Sequence, residues 1–497
     1  MQVVLVNPPR WGETLYTLRD EICFQDVRYI PFPIRLGQLA AQLRELPGVE
    51  VTAVDANGLG WTWADVEACL PQGDLLVILS AAGLLEHDLK LAEIAKARSG
   101  GKMATAVVDN FVAPLFPERL LADFPHLDIA LRGQPEAVVP ELARHFPKLD
   151  QVAGIAYRDG TEVRSTTQAP PMADLDCLPF MAYDLLPMER YTISYLAAPR
   201  YEVVVPGIML RTTRDCPYQC AFCVIGSSPW RGYDHKWRGM SPQRVVDELE
   251  HVVATYGTRG FFFWDETYTL DRERAWAISE EILRRKLSIV WRCLTRIDRV
   301  DRDLLRLMAR SGCQMIEFGL ESGDPEVRYF LNKRFSDEAA IQAVRWAKEA
   351  GIHVNCDFIV GMPWETRGTL ERTRVLALRL PADGVHLTMA FPYPETEFHR
   401  IAVEVGLLEV DDLYPLMGHE RVRVGARAVS RTRELGRDDL EAAWKQLRNE
   451  VDRHHRRRAL GQPSNWIEYL KTCRTPADLM RLAAKGGRQL AILMRGS

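Results

Sequence analysis

The sequence predicts an α/β protein in two parts: an N-terminal doubly wound parallel sheet, then a partial barrel of six β/α units, closed by a small C-terminal helical region. Three observations carry this prediction. Short apolar runs alternate with amphipathic helical stretches up to about residue 148. A proline-rich stretch over 149–201 breaks the alternation, which resumes over 202–400. Strands alternating with helices build parallel sheets, because parallel neighbours need a crossover between them.

The elements follow in order. "QVVLVNPP" is a β-rich run ending in a turn, and the amphipathic "IRLGQLAAQLREL" comes after a long loop. "VEVTAVDANG", "GDLLVILSAAG", "KMATAVVDN" and "LDIALRGQPE" supply four more strands, with "WADVEACL", "LKLAEIAKARSG" and "PERLLADF" as the helices between them. Ligands of such sheets bind beyond the carboxyl ends of the strands. Those ends carry Asn7, Asp55, Ser80, Asp109 and Gly133. No G-x-G-x-x-G follows the first strand, so a dinucleotide is not the first expectation. Gly37 reads equally well as a packing residue and Asp55 as a cap.

Residues 149–201, with "QAPPMADLDCLPFMAYDLLP", read as an ordered linker across a surface. "EVVVPGIMLRTTR" then opens the second alternation. "PQRVVDELEHVVATYG" is a helix with Ser241 as N-cap and Gly257 as stop. Five more strands follow: "GFFFWDE", "SIVWRCLTR", "CQMIEFGLES", "HVNCDFIVGMP" and "GVHLTMAFPYP". Active sites of parallel barrels lie at the carboxyl ends of the strands. Here those ends carry Cys216, Asp265, Glu266, Arg296, Glu321, Ser322, Gly361 and Pro392.

Composition narrows the function classes. The chain has 497 residues, 47% apolar and 26% charged, which is ordinary for a globular protein. Its net charge of −4 gives no whole-chain field for nucleic acid. "MQVVLVNPPR" lacks the basic and apolar regions of a signal peptide, and the apolar stretch 75–85 is too short to span a bilayer. A cytoplasmic location is therefore expected. There, clustered cysteines bind metal or do redox chemistry more often than they form disulfides.

Three of the ten cysteines fall in "RTTRDCPYQCAFCVIG": Cys216, Cys220 and Cys223. C-x3-C-x2-C brings three soft thiolates within reach of one another. Three suit an iron–sulfur cluster with one iron left open. His235, twelve residues on, is the nearest candidate for a fourth ligand. Zinc is the competing metal, but its sites pair C-x2-C units or add H-x3-H, and neither partner is seen.

This motif, with aromatic Phe222 before the last cysteine, resembles the signature of the radical S-adenosylmethionine (SAM) superfamily. "FFFWDETYT", "WRCLTRID", "EFGLESGDPEV", "DFIVGMPWET" and "FPYPETEF" resemble successive strand ends of the branch with an N-terminal cobalamin-binding domain. "LVNPP", "RGQPE" and "LDCLPFMAYDLLP" fit the same branch. The resemblance covers about residues 1–400. It implies a Rossmann-like, cobalamin-binding sheet over 1–148, a TIM-like radical SAM barrel over 202–400 and a helical region over 401–497. It also implies three cofactors: a [4Fe-4S] cluster on the three cysteines, SAM and cobalamin. The reduced cluster would cleave SAM to methionine and a 5′-deoxyadenosyl radical, which abstracts hydrogen from an unactivated carbon. Cobalamin would then deliver a methyl group. By the same resemblance Phe222, Asp265, Arg296, Glu321, Ser322 and Gly361 would bind SAM. Asn7, Ser80, Asp109, Gly133 and Glu136 would lie at the corrin. No individual catalytic residue is assigned.

Two departures stand out. Where D-x-H-x-x-G would bring a cobalt-ligating histidine, "DANGLG" has Asn57. The "PYPET" turn has Glu395 where the family often has glycine. The C-terminal "RHHRRR" over 453–458 reads as a solvated charged face, and His454 and His455 diverge too far to share a metal. "TPADLMRLAAKGGRQLAILM", with Arg481, Lys485 and Arg488, reads as core packing, with an amphipathic lid or a membrane-surface helix as the alternatives. Expected partners are a small substrate, plausibly hydrophobic, and an electron donor such as a flavodoxin or ferredoxin. No nucleic acid and no transmembrane segment are expected, and peripheral membrane contact stays open. A radical SAM cyclase or rearrangement enzyme, and a non-catalytic corrinoid or cluster-binding regulator, are the alternative functions.

Overall fold

The computed structural model describes residues 1–12, 16–19, 25–109, 111–194, 204–227, 236–418 and 427–460. His235, Cys473 and the basic stretch of Arg481, Lys485 and Arg488 lie outside the described residues. The chain divides into two compact units. The first joins 1–193, 206–266 and 391–427; the second holds 194–205, 267–390 and the chain from 428 on.

The first unit opens with β1 (Gln2–Asn7), the antiparallel pair β2 (Tyr16–Leu18) and β3 (Gln25–Val27), then β4 (Glu50–Asp55), β5 (Leu75–Leu79), β6 (Ala104–Val108) and β7 (Ile129–Leu131). The hairpin β8 (Ile155–Asp159) and β9 (Glu162–Ser165) follows. The sheet order is β4-β1-β5-β6-β7-β8-β9. The first five are parallel, as their helical crossovers demand. Strand order reverses between β1 and β5, and that switch point is where such sheets open a crevice. Val3, Leu5, Leu76, Ile78 and Val107 are fully buried, as strands covered on both faces require.

The hairpin departs from the expected linker, since β8 pairs antiparallel with β7 and lengthens the sheet. A two-residue turn, Gly160 and Thr161, closes it between the paired Asp159 and Glu162, with Gly160 at φ 62°. The alternation of "IAYRDGTEVRS" is partly polar because β9 is an edge strand, and its residues are mostly exposed.

After β10 (Thr192–Ser194) come β11 (Val204–Leu210), the short β12 (Thr213–Arg214) and β13 (Arg238–Gly239), and β14 (Gly260–Phe263). β11 and β14 pair in parallel through 207–210 and 260–263. Between them, the helix Pro242–Tyr256 starts at Ser241, whose side chain accepts from the Arg244 N–H, and stops at Gly257 with φ 68°. The second unit contains β15 (Val290–Arg296), β16 (Cys313–Glu321), β17 (His353–Val360) and β18 (Gly384–Met389), side by side and parallel in chain order. The helices Arg302–Arg310, Asp337–Glu349 and Arg367–Arg379 cross between them.

The helix Arg437–Leu460 belongs to the same unit. Trp444 Nε1 donates to the Leu387 carbonyl at 3.0 Å. His455, expected on a solvated face, is 1% exposed, with its ring nitrogens 2.9 and 3.2 Å from the Ala377 and Ala382 carbonyls. The basic run conceals this because Arg453 and Arg457 on the same helix are exposed. Among the described residues no helix is long and apolar enough to cross a membrane.

Candidate active site

The cysteine loop begins where β11 ends. Asp265, two residues beyond β14, fixes its entrance. Its Oδ1 accepts the N–H groups of Thr212 (2.7 Å) and Thr213 (2.9 Å), and its Oδ2 accepts the Thr212 hydroxyl (2.7 Å). Both oxygens of this residue are therefore committed to the incoming chain. β12 pairs antiparallel with β13, and buried ion pairs brace this short ribbon: Arg214 with Glu136, and Arg238 with Asp215. Glu136 lies in the first turn of the helix Pro135–His145, where the helix dipole favours a carboxylate. Burial alone would raise its pKa, but the Arg214 and Arg211 charges outweigh burial and hold it below the usual range.

Cys220 is buried, and Cys216 and Cys223 are partly open; none of the three is in a disulfide. The Cys223 N–H donates to the Cys220 carbonyl at 2.9 Å. From far along the chain, the Phe398 N–H donates to the Ala221 carbonyl at 2.8 Å. The "FPYPETEF" segment thus closes over the loop within the first unit. Among the described residues no three histidine, cysteine or carboxylate side chains converge to grip one metal ion. A cubane cluster asks for something else, three thiolates each on a different iron, and the partly open trio on one short loop fits that donor set.

The strand ends of the first sheet form a polar rim. Asn7 donates to Asp55 at 2.7 Å, and Tyr191 donates to the same carboxylate at 2.8 Å. Ser80 donates to Asp88 at 2.9 Å; Asp88 is also gripped by Arg19 at 2.8 and 2.9 Å. Asn57, in place of a histidine, accepts the Thr17 N–H and donates to the Thr17 carbonyl, both at 3.1 Å. It is fully buried by this clamp. Asp109 caps the turn after β6, with Oδ1 accepting from Phe111 (2.9 Å) and Ala113 (3.1 Å). Its Oδ2 is buried and finds no hydrogen-bond partner among the described residues. Burial raises the Asp109 pKa. A buried acceptor of this kind suits an amide-fringed ligand such as a corrin. Phe111 is buried edge-on to Tyr393, ring centroids 5.1 Å apart, where small residues would leave room. Gly133 stands two residues past β7 with the Val138 side chain against its α-carbon.

In the second unit, Arg296 ends β15 and holds Asp298 by two hydrogen bonds of 2.8 and 2.9 Å. Glu321 ends β16 with φ 69°, and Lys333 Nζ donates to its carboxylate at 2.8 Å and to the Gly319 carbonyl at 3.0 Å. Ser322 is fully buried, beside Thr373, whose hydroxyl accepts the Gly323 N–H at 2.9 Å. Gly361 follows β17 with φ 111°, a backbone that side chains rarely adopt. A β-carbon there would sit 3.2 Å from Leu440 and from the Met389 sulfur.

Sequence reasoning missed two residues. Glu365 is fully buried and accepts the N–H groups of Gly361 and Met362, the latter at 2.9 Å, so it sets the turn around Gly361. Its signal was an acidic residue four places after a strand-end glycine. Lys333, which pairs with Glu321, had no local signal at all.

Of five non-glycine residues with left-handed backbone among the described residues, Asp215, Glu321 and Glu395 fall at the cysteine loop, a strand rim and the closing "PYPET" turn. Each such residue costs about 1–2 kcal/mol, and strain of this kind clusters at functional sites. Glu395 has φ 70°, which accounts for the glycine expected there.

Residues 210–377 match the Radical SAM superfamily. An uncharacterized methyltransferase of Pyrococcus horikoshii, PH0819, is 30% identical over 381 residues, spanning 76% of this chain and 79% of that one. The chain belongs to the radical SAM superfamily. Its fold is shared with two solved members. One is the radical SAM methyltransferase TsrM from Kitasatospora setae, with cobalamin and a [4Fe-4S] cluster bound (TM-score 0.60, 18% identity, 82% of this chain and 76% of that one). The other is the cobalamin-dependent radical SAM enzyme OxsB (TM-score 0.63, 16% identity, 97% of this chain and 70% of that one). The two α/β parts of this radical SAM enzyme and its helical C-terminal region therefore stand as expected.

Proposed function

We propose that this radical SAM enzyme is a cobalamin-dependent methyltransferase acting on an unactivated carbon of a small molecule. The observation that carries the reading is the Arg214–Glu136 ion pair, which ties the cysteine loop to the strand-end rim of the doubly wound sheet inside one compact unit. An enzyme needing only a cluster and SAM has no use for that second rim. When bound, the cluster with SAM supplies a 5′-deoxyadenosyl radical, and cobalamin supplies the methyl group. Cys216, Cys220 and Cys223 would hold the cluster, with Phe222 beside it. Asp265 positions the loop that carries them. Arg296, Glu321, Ser322 and Gly361 would hold SAM, with Glu365 setting the Gly361 backbone. Asn7, Ser80, Asp109 and Gly133 line the rim that would take the corrin; the Asn57 clamp puts no histidine base at position 57, and His87 is held at Asp88, its Nδ1 2.9 Å from Oδ1. The methyltransferase naming of the Pyrococcus relative supports the reading. A small acidic redox protein such as a flavodoxin or ferredoxin would deliver the electrons, in the cytoplasm, where free thiols persist.

The test is anaerobic reconstitution with cluster, hydroxocobalamin, reductant and SAM deuterated at its methyl group, followed by mass spectrometry against metabolite fractions. Deuterated methyl in a carbon-bound product, together with 5′-deoxyadenosine, is expected. SAM cleavage with an unmethylated, rearranged or cyclised product would replace this reading with the cyclase one.

A further inference from the structure

The strands of the second unit have two unlike faces. Val354, Cys356, Phe358 and Val360 on β17, and Val385, Leu387 and Met389 on β18, are buried. Most of the alternate positions are polar, Ile359 being an exception. Strand register places Arg296, Gly319, Asp357 and His386 opposite one another in one row across β15 to β18. The next row down holds Leu294, Glu317, Asn355 and Gly384. Parallel strands packed on both faces read as continuous apolar runs. A parallel sheet with one charged face therefore lines a space rather than a core.

Within that face, Arg292 pairs with Glu317 and is nearly buried. His386 Nδ1 lies 3.1 Å from Asp357 Oδ1, and here the side chains stay 46% and 34% exposed. Between these pairs, the Asn355 amide nitrogen is buried with no hydrogen-bond partner among the described residues, although Asn355 is only 1% exposed. Gly384 leaves the lower row without a side chain, whereas the place a Gly319 side chain would take is held by the Glu321 carboxylate, 2.5 Å from where its β-carbon would sit. Burial pulls the His386 pKa down, but the hydrogen bond and charge of Asp357, with Glu317 and Asp452 beyond, outweigh it and raise it. Asp357 stands four residues before Gly361, about 13 Å inside the strand end at 3.3 Å per residue. Its row nonetheless includes Arg296, so a molecule held there lies beside the residues that would hold SAM.

We infer that this face is the substrate-binding surface, and that it takes a polar, hydrogen-bonding, water-soluble molecule, held by Asn355 and by the open Asp357–His386 pair. The inference rests on the methyltransferase reading and names the substrate class of that enzyme. An apolar acceptor would desolvate Arg292, Glu317, Asp357 and His386 without returning a hydrogen bond, at about 1–3 kcal/mol for each group left unsatisfied. The hydrophobic substrate expected from the chain's last amphipathic stretch is thereby set aside.

The test uses the full-length reconstituted enzyme with water-soluble and chloroform-soluble metabolite fractions as probes, reading the rate of 5′-deoxyadenosine formation. The water-soluble fraction should stimulate SAM cleavage and the chloroform-soluble fraction should not. Asn355→Leu and His386→Gln should each weaken that stimulation roughly ten- to a hundredfold, the cost of one lost hydrogen bond to the substrate. If Asn355→Leu lowers the melting midpoint, the partly exposed His386→Gln decides. Stimulation by the chloroform-soluble fraction, by neither fraction, or undiminished in both variants overturns the assignment. Label transfer from SAM is read separately: stimulated cleavage without methyl transfer would keep the polar surface and remove the methyltransferase reading.

Discussion

Glu365 keeps a carboxyl group in the core with backbone N–H groups as its donors. Burial raises its pKa to about 7 from an ordinary 4.5, and the bonds from Gly361 and Met362 only partly offset this. The folded state therefore binds a proton that the unfolded chain has released between those values. Stability from this group is complete below about 4.5 and is lost as pH rises through about 7, on the order of 3 kcal/mol in all. Denaturant midpoints from pH 5 to 8 should fall more steeply for the natural chain than for Glu365→Gln; equal slopes would refute the assignment. Glu395 offers a second single-residue test. It is exposed with φ 70°, so Glu395→Gly should raise stability by about 1 kcal/mol in thermal unfolding. A loss of activity without a loss of fold would instead give its carboxylate a task in the chemistry. Alanine at Cys216, Cys220 or Cys223 should abolish the visible absorbance of the cluster and all SAM cleavage. Alanine at Cys69, Cys177, Cys293, Cys313 or Cys356 should leave both intact.

Among the elements, the legible ones were those with a local period. The parallel strands showed as apolar runs, and their carboxyl ends pointed to Asp265, Glu321 and Gly361 because every parallel strand ends on the same side. The hairpin β8–β9 was hidden by its polar edge, although the turn glycine Gly160 announced it. The pairing of Glu136 with Arg214 was illegible, since 78 residues separate them and neither is unusual in its own segment. This pair carries the element-scale prediction. The side chains are 12% and 9% exposed, so Glu136→Gln leaves a nearly buried guanidinium without its counter-charge. Such a loss costs about 3–5 kcal/mol. Iron content per chain after reconstitution should drop with it. Because the Glu136 pKa is depressed, the same brace weakens in the natural chain only when pH falls below the usual carboxylate range.

At the scale of the whole molecule, the missing histidine has a structural account, because Asn57 is spent on the backbone of Thr17. Full-length protein loaded with hydroxocobalamin should give the spectrum of a corrinoid without a histidine base. Asn57→His should not create the histidine-ligated spectrum, since that position faces β2; a ligated spectrum would show the clamp to be wrong. What no sequence pattern revealed is the order in which the first unit is completed. Its cysteine loop is closed by residues 391–427, which begin 175 residues after Cys216 and end 211 after it. At roughly 5–20 residues per second of synthesis, some 10–40 s pass between the emergence of the thiols and that of their cover. For that interval the nascent chain shows three uncovered thiols to its surroundings, so cluster insertion and thiol oxidation compete on the ribosome's clock. Slowed elongation between the two segments, or expression in air, should lower the yield of loadable protein before any finished molecule is damaged.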